Sequence, residues 1–386
     1  MKKLLVLLLL SAGASAQTTQ GINVIAYPGA DVGVQFANAY AANGCNTYVI
    51  PASTTAYAFS HTMHVPRCVS LLGQGRGIQQ GITTATPGTS FGTTLLWTGG
   101  AGAAIVSSDH IPAPNLSGFG GTYGPSGGTI GNFTLTESAI VSGAIGIYTG
   151  GDPSGSISPS TDWAQETRLE NIAISYFDTA WKGGSNVFWV NWFAPYIAYN
   201  NVGLTSDSAA ADAGEEVNIF GGVITANVTG AFYNSSFEYH LFGTSIDFNG
   251  LNSGYQITNA MVELENCHVE SSEQMIYSGT QLQMHGGTIQ FDNSGLSIPQ
   301  LIKMTSNVVN TLNLRGVNVY SQSTVSNLVY WPTNQSDPFP HLSITDLFGN
   351  HNGDVKSIIN AVPSTLYKDV KIDTCLGPLC LVVNNR

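Results

Sequence analysis

The sequence predicts an all-β chain wound into a single-stranded, right-handed parallel β-helix, with one short helix capping its N-terminal end. Three observations carry this. A seven-residue pattern (apolar, variable, Gly/Asn or small, variable, polar, apolar, usually polar) recurs along the chain. Its copies lie 20 to 39 residues apart, too short for propeller blades and without the leucine period of a leucine-rich solenoid. Gly, Ser, Thr and Asn are abundant while charged residues make up only 9%, a balance that favours short strands and turns.

The first element is a leader. Lys2 and Lys3 precede the apolar run Leu4 to Leu10, and Ala14-Ser15-Ala16 reads as a cleavage signal. Residues 1–16 are thus expected to be a signal peptide, with Gln17 the mature start and the protein secreted or periplasmic. The run is too short to span a bilayer, no cysteine follows the cut to carry a lipid, and no other segment reads as a membrane helix.

The second element, residues 17–68, is expected to hold the cap and first coils. Asp31 reads as the N-cap of a helical run through Val34, Phe36 and Tyr40 that Gly44 ends, followed by a strand over Thr47 to Ile50. A helix there covers the open end of the solenoid.

The third element is the coil array, residues 69–350. The copies are IGNFTLT (130–136), LENIAIS (169–175), WFAPYIA (192–198), IFGGVIT (219–225), LFGTSID (241–247), LENCHVE (264–270), MHGGTIQ (284–290), LRGVNVY (314–320) and LSITDLF (342–348). Alternation in pieces this short means strands, and the small residue in the middle marks a bend. One unit cannot bury its own apolar face; coils stacked about 4.8 Å apart can. Parallel crossovers make the winding right-handed. Residues 351–386 are left as a C-terminal cap or tail. Segments 99–128 and 149–163 read as loops that shape a cleft or mediate trimer contacts, so monomer and homotrimer both stay open.

The order DVGVQFANAYAANG, TYVIP, VSLLGQGRG, with the later coils GEEVNIFGG, LFGTSIDFNG and LENCHVES, resembles the pectate-lyase-like superfamily of right-handed β-helix proteins. The likeness spans most of residues 21 to 350 at the level of architecture. It implies a glycan-facing extracellular protein but carries no catalytic residues over: the polygalacturonase signatures N-T-D, D-D, G-H-G and R-I-K are absent. GQGRG (73–77) lacks the Lys-Ser/Thr of a phosphate loop and reads as a tight turn.

Stacking turns pattern positions into columns. Asp247 and Glu270 become neighbours on adjacent coils, with His268 beside Glu270 and Ser245 beside Asp247, and Gln290, Asn318 and Tyr320 continuing the patch. These columns are expected to face solvent. Two carboxyls this close push one pKa upward, which is the acid–base division that glycoside hydrolysis uses. Asp247, Glu270 and His268 are therefore the candidate catalytic residues, and Ser245, Gln290, Asn318 and Tyr320 the candidate substrate contacts. The same outward pattern is also ordinary β-helix surface.

A second column places Glu265, His285 and Arg315 on consecutive coils, either as a surface charge ladder or as substrate contacts with Arg315 on a sugar carboxylate. Cys267 and His268 point to opposite faces of a strand, so they do not read as a zinc site. No cofactor is implied, although calcium on Asp247 and Glu270 is possible. The aromatics between Trp181 and Tyr199 divide between core and a possible sugar-stacking groove.

The formal net charge is −12, and −14 without Lys2 and Lys3, which argues against nucleic acid and repels a polyanionic glycan. A polysaccharide is the expected partner, met by a glycoside hydrolase, a non-catalytic glycan-binding adhesin or tailspike-like protein, or a calcium-dependent lyase. Five cysteines in an exported chain suggest two disulfides among 15 pairings. Loop length favours Cys45–Cys68 and Cys375–Cys380, with Cys267 free.

Overall fold

The computed structural model describes residues 21–76, 92–108, 128–150, 164–185, 187–207, 214–252, 254–258, 260–271, 275–278, 281–291, 297–304, 311–322, 324–330, 341–349, 359, 369–376 and 379–385. The expected leader and most of the two expected loop segments lie outside them. So do the side chains of Cys375 and Cys380. Among the described residues no helix is long and apolar enough to cross a membrane.

The chain is a parallel β-helix. A full coil has three strands, such as Met261–Glu265, His268–Ser271 and Met275–Ser278, which contribute to three faces of the tube. Faces 1 and 2 hold the recurring pattern. Face 3 is an unbroken ten-stranded parallel sheet running from Met63–Val65 to Thr324–Tyr330. At the C-terminal end, strand Asp369–Leu376 adds in parallel to face 1, and Leu379–Asn385 folds back antiparallel on it, with Cys375 and Cys380 as direct backbone partners.

The expected column register holds through eight coils. Leu135, Ile174, Ile197, Ile224, Ile246, Val269, Ile289 and Val319 are successive Cα partners, and all are buried. The ninth coil departs. Val319 pairs with Gly349 rather than sharing a column with Leu347, and Arg315 pairs with Thr345 rather than Ser343. The true ninth copy starts at Ile344, two residues later than the alternation suggests. A slip of two leaves every side chain on its own face, so alternation alone does not detect it.

The bend between faces 1 and 2 has a backbone cause. Asn132, Asn171, Ala194, Gly221, Gly243, Asn266, Gly286, Gly316 and Asp346 all have φ between 46° and 66°. This left-handed conformation turns the chain sharply and favours Gly, then Asn and Asp. The small residue of the sequence motif is therefore a conformational requirement repeated once per coil, and Asp346 is the marker that fixes the ninth register.

The cap is helix Val32–Asn43. Asp31 accepts the Val34 N–H at 3.0 Å, and Gly44 closes the helix with φ 64°. The helix buries Val32, Phe36, Ala39 and Tyr40 against the coil end, where Phe36 meets Tyr48 edge-on at 5.4 Å. The Cys45–Cys68 disulfide forms, tying the helix exit to the next coil.

A ladder of buried asparagines lies inside the turn between faces 2 and 3. Asn200 Nδ2 donates to Asn227 Oδ1 at 3.0 Å, and Asn227 Nδ2 to Asn249 Oδ1 at 2.7 Å. Their backbone N–H groups also donate along the ladder, Asn200 to Asn227 and Asn227 to Asn249. Phe177 N–H closes one end and Gln256 the other, Gln256 donating onward to Glu270 C=O. Each amide thus satisfies turn carbonyls and amides that would otherwise be buried unpaired.

Candidate functional site

Two polar clusters stand on different faces. The first, on face 2, is built by strands Ser245–Asp247 and His268–Ser271. Ser245 pairs with His268 and Asp247 with Glu270 as Cα partners, as the column reading expects. The Ser245 hydroxyl lies 2.9 and 2.8 Å from the two Asp247 oxygens. His268 Nε2 lies 3.3 Å from Glu270 Oε2. One ligand atom each from Asp247, His268 and Glu270 falls within a common 4.8 Å, so the two carboxylates come that close or closer. Partial burial pushes the Asp247 pKa up, against the lowering effects of the Ser245 hydrogen bond and the His268 charge.

Gln290 and Tyr320 continue the Glu270 column, and Thr288 and Asn318 the His268 column. Phe348, expected beyond Tyr320, is the partner of Asn318 instead. At the other end the columns are not solvent-facing as expected. Thr134, Ala173, Ser175 and Ala198 are buried. Alternation fixes which way a side chain points, not what lies over it.

Glu265, His285 and Arg315 are successive partners on face 1, so they do not line the same site as Asp247 and Glu270. His285 Nδ1 meets Glu265 Oε1 at 2.7 Å, and Asn313 Nδ2 meets His285 Nε2 at 3.1 Å. The Asn313 amide donating to Nε2 leaves the ring proton on Nδ1, directed at Glu265. Beside this pair, His240 Nδ1 lies 3.2 Å from Glu263 Oε2. His240, Phe242, Gly243, Glu263, Glu265 and Asn266 line an open groove of about 480 Å³. The seven-residue pattern does not reach His240 and Glu263. Their signal was present in the strands preceding the bend, where i and i+2 positions share an outward face.

Phe193, Phe220 and Phe242 occupy successive rungs of the same column as Glu265. Their rings stack face to face at 5.0 Å per step, tilted by 14° and 11°. The other aromatics of that region divide as expected: Trp181 and Trp192 are fully buried, while Trp189 is 44% exposed.

Among the described residues, two carboxylate–histidine groups have the spacing to hold a cation: Asp247, His268 and Glu270, and Glu263, Glu265 and His285. Cys267 belongs to neither. It is buried, its thiol directed at the carbonyls of Leu241 and Glu265.

No protein-family model matches the chain, and no curated protein matches it. Solved structures resemble the chain to different degrees. A mutant DFA-IIIase from Arthrobacter chlorophenolicus A6 in complex with DFA-III matches with a TM-score of 0.55 at 10% identity, over 89% of this chain and 86% of that one. DFA-IIIase in complex with GF2, from the same organism, gives 0.49 at 9% identity, over 92% and 94%. The A-module of a mannuronan C-5 epimerase from Azotobacter vinelandii gives 0.42 at 11%, over 89% and 98%. At 10% identity the first of these carries the fold and nothing finer.

Proposed function

We propose that this is an exported carbohydrate-active protein that hydrolyses a polysaccharide at the Asp247–Glu270 pair. The observation that carries the reading is the pairing of two carboxylates on adjacent coils, one of them shifted toward its protonated form by burial. In this reading Asp247 donates its proton to the glycosidic oxygen as the bond to the anomeric carbon breaks. Glu270 forms a bond to that carbon from the other side. Water then displaces Glu270 while Asp247 takes back a proton. Carboxylates about 5 Å apart suit this retaining course; an inverting one needs room for water between them. His268 orients Glu270. Ser245, Gln290, Asn318 and Tyr320 contact the sugar chain along the coil axis.

The Cys45–Cys68 disulfide supports an oxidising, extracytoplasmic compartment. The reading agrees with the use of this fold by DFA-IIIase, solved with DFA-III bound.

A second reading is favoured by one observation. The Ser245 hydroxyl lies within hydrogen-bond reach of both Asp247 oxygens, so the carboxylate already has a partner within its own strand. On that reading the protein binds glycan without cleaving it. Incubation of the full chain with a panel of polysaccharides, with and without chelator, separates the cases. New reducing ends that persist in chelator support hydrolysis. Chelator-sensitive unsaturated ends point to a lyase with calcium on the acids, and binding without cleavage points to the second reading.

A further inference from the structure

The face 1 aromatic stack has two ends, and only one is closed by a guanidinium. The Arg168 guanidinium lies over Phe193 with its carbon 4.5 Å from the ring centroid, and is itself paired to Glu170 at 3.1 Å. Cation, ring face and carboxylate form one unit there. At the other end, Phe242 turns one face to Phe220. The other looks toward the next rung, Glu265, across the 480 Å³ groove. Phe242 is 39% exposed. Two carboxylates, Glu263 and Glu265, stand in the groove, and no Lys or Arg lines it among the described residues. The ring and acid of the first end recur here without a guanidinium: His240 lies 3.2 Å from one Glu263 oxygen and His285 2.7 Å from one Glu265 oxygen, leaving the second oxygen of each carboxylate to a ligand.

We propose that the groove beside Phe242 binds a positively charged sugar ring, the ammonium-bearing unit of an amino-sugar glycan. The apolar C–H face of the ring lies on Phe242 while its ammonium reaches Glu263 and Glu265. Asn266, which also lines the groove, supplies polar contacts for the hydroxyls. At about 480 Å³ the groove is larger than one ammonium group needs, which favours a sugar over a lysine side chain. The net charge of −12 draws a polycationic chain toward it. The site is independent of the Asp247–Glu270 reading, because it lies on another face and shares no residue with that pair.

The test is calorimetric titration of the full chain at neutral pH and low salt. The probes are a glucosamine tetramer, its N-acetylated counterpart and tetralysine. The glucosamine tetramer is expected to bind, and the N-acetylated tetramer at least about tenfold more weakly. Glu263→Gln with Glu265→Gln, and separately Phe242→Ala, should each weaken binding by about tenfold or more. The isosteric double variant keeps the test valid if Phe242→Ala unfolds. Asp247→Asn with Glu270→Gln should bind like the unaltered protein. Absence of binding, equal binding of the acetylated tetramer, equal binding of tetralysine, or unchanged binding in the glutamine double variant would overturn the proposal.

Discussion

Asp247 and Glu270, 23 positions apart in the chain, are direct backbone partners on adjacent coils, and each carboxylate is engaged from its own strand. Ser245 holds Asp247 and His268 holds Glu270. The Ser245 hydrogen bond favours the ionised form of Asp247 while burial opposes it. Removing the hydroxyl with Ser245→Ala should therefore raise the Asp247 pKa further. If Asp247 is the acid, the alkaline limb of the pH–rate profile moves to higher pH. A limb that stays in place would assign the acid elsewhere.

The N-terminal cap should be acid-sensitive. Asp31 accepts hydrogen bonds from Val34 N–H at 3.0 Å, Ser60 N–H at 2.8 Å and His61 Nδ1 at 2.8 Å. Burial opposes its ionised form, but these partners outweigh it and hold the carboxyl well below the usual 3.8. A depressed pKa contributes stability that is complete above the unfolded value and is lost as pH falls below it. Asp31→Ala should cost about 2 kcal/mol at neutral pH and flatten the stability loss in acid, measured by urea unfolding.

Glu137 predicts the opposite slope. It is 5% exposed, its Oε2 has no hydrogen-bond partner, and its pKa is pushed up to about 7. Burial is the main cause, with the Asp178 charge adding and the Val141 N–H opposing. A raised carboxyl pKa means the folded state holds the proton longer, so stability falls as pH climbs from about 4.5 to about 7. Glu137→Gln should remove that slope and be more stable by about 2 kcal/mol at pH near 8. The comparison of urea midpoints at acid and alkaline pH reads it directly.

The asparagine ladder should be costly to interrupt. Asn227 both donates to Asn249 and accepts from Asn200, fully buried. Asn227→Leu strands donors and acceptors on both neighbouring coils and should cost about 3 kcal/mol or more. Asn218, partly exposed on face 1 beside Asn191, is the control: Asn218→Ala should stay within about 0.5 kcal/mol.

The coil array was legible in the sequence because its cause is local. A left-handed residue must recur at each bend, and Gly, Asn or Asp at eight of the nine positions marks it. The partnership of Asp247 and Glu270 followed from that register. The ninth coil was misplaced because Leu342 and Ile344 are both buried on the same face, so either can start the motif. The asparagine ladder was not legible: Asn200, Asn227 and Asn249 are polar residues in turns, where exposure is the ordinary expectation. The face 1 groove escaped because His240 and Glu263 lie before the bend, outside the seven-residue pattern.

The most direct measurement is release of reducing ends from a cleaved polysaccharide by the unaltered protein and by Asp247→Asn and Glu270→Gln, with glycan binding measured on the same samples. The account predicts that each substitution lowers turnover by at least about a hundredfold while binding changes little. Turnover that survives in both variants would contradict it.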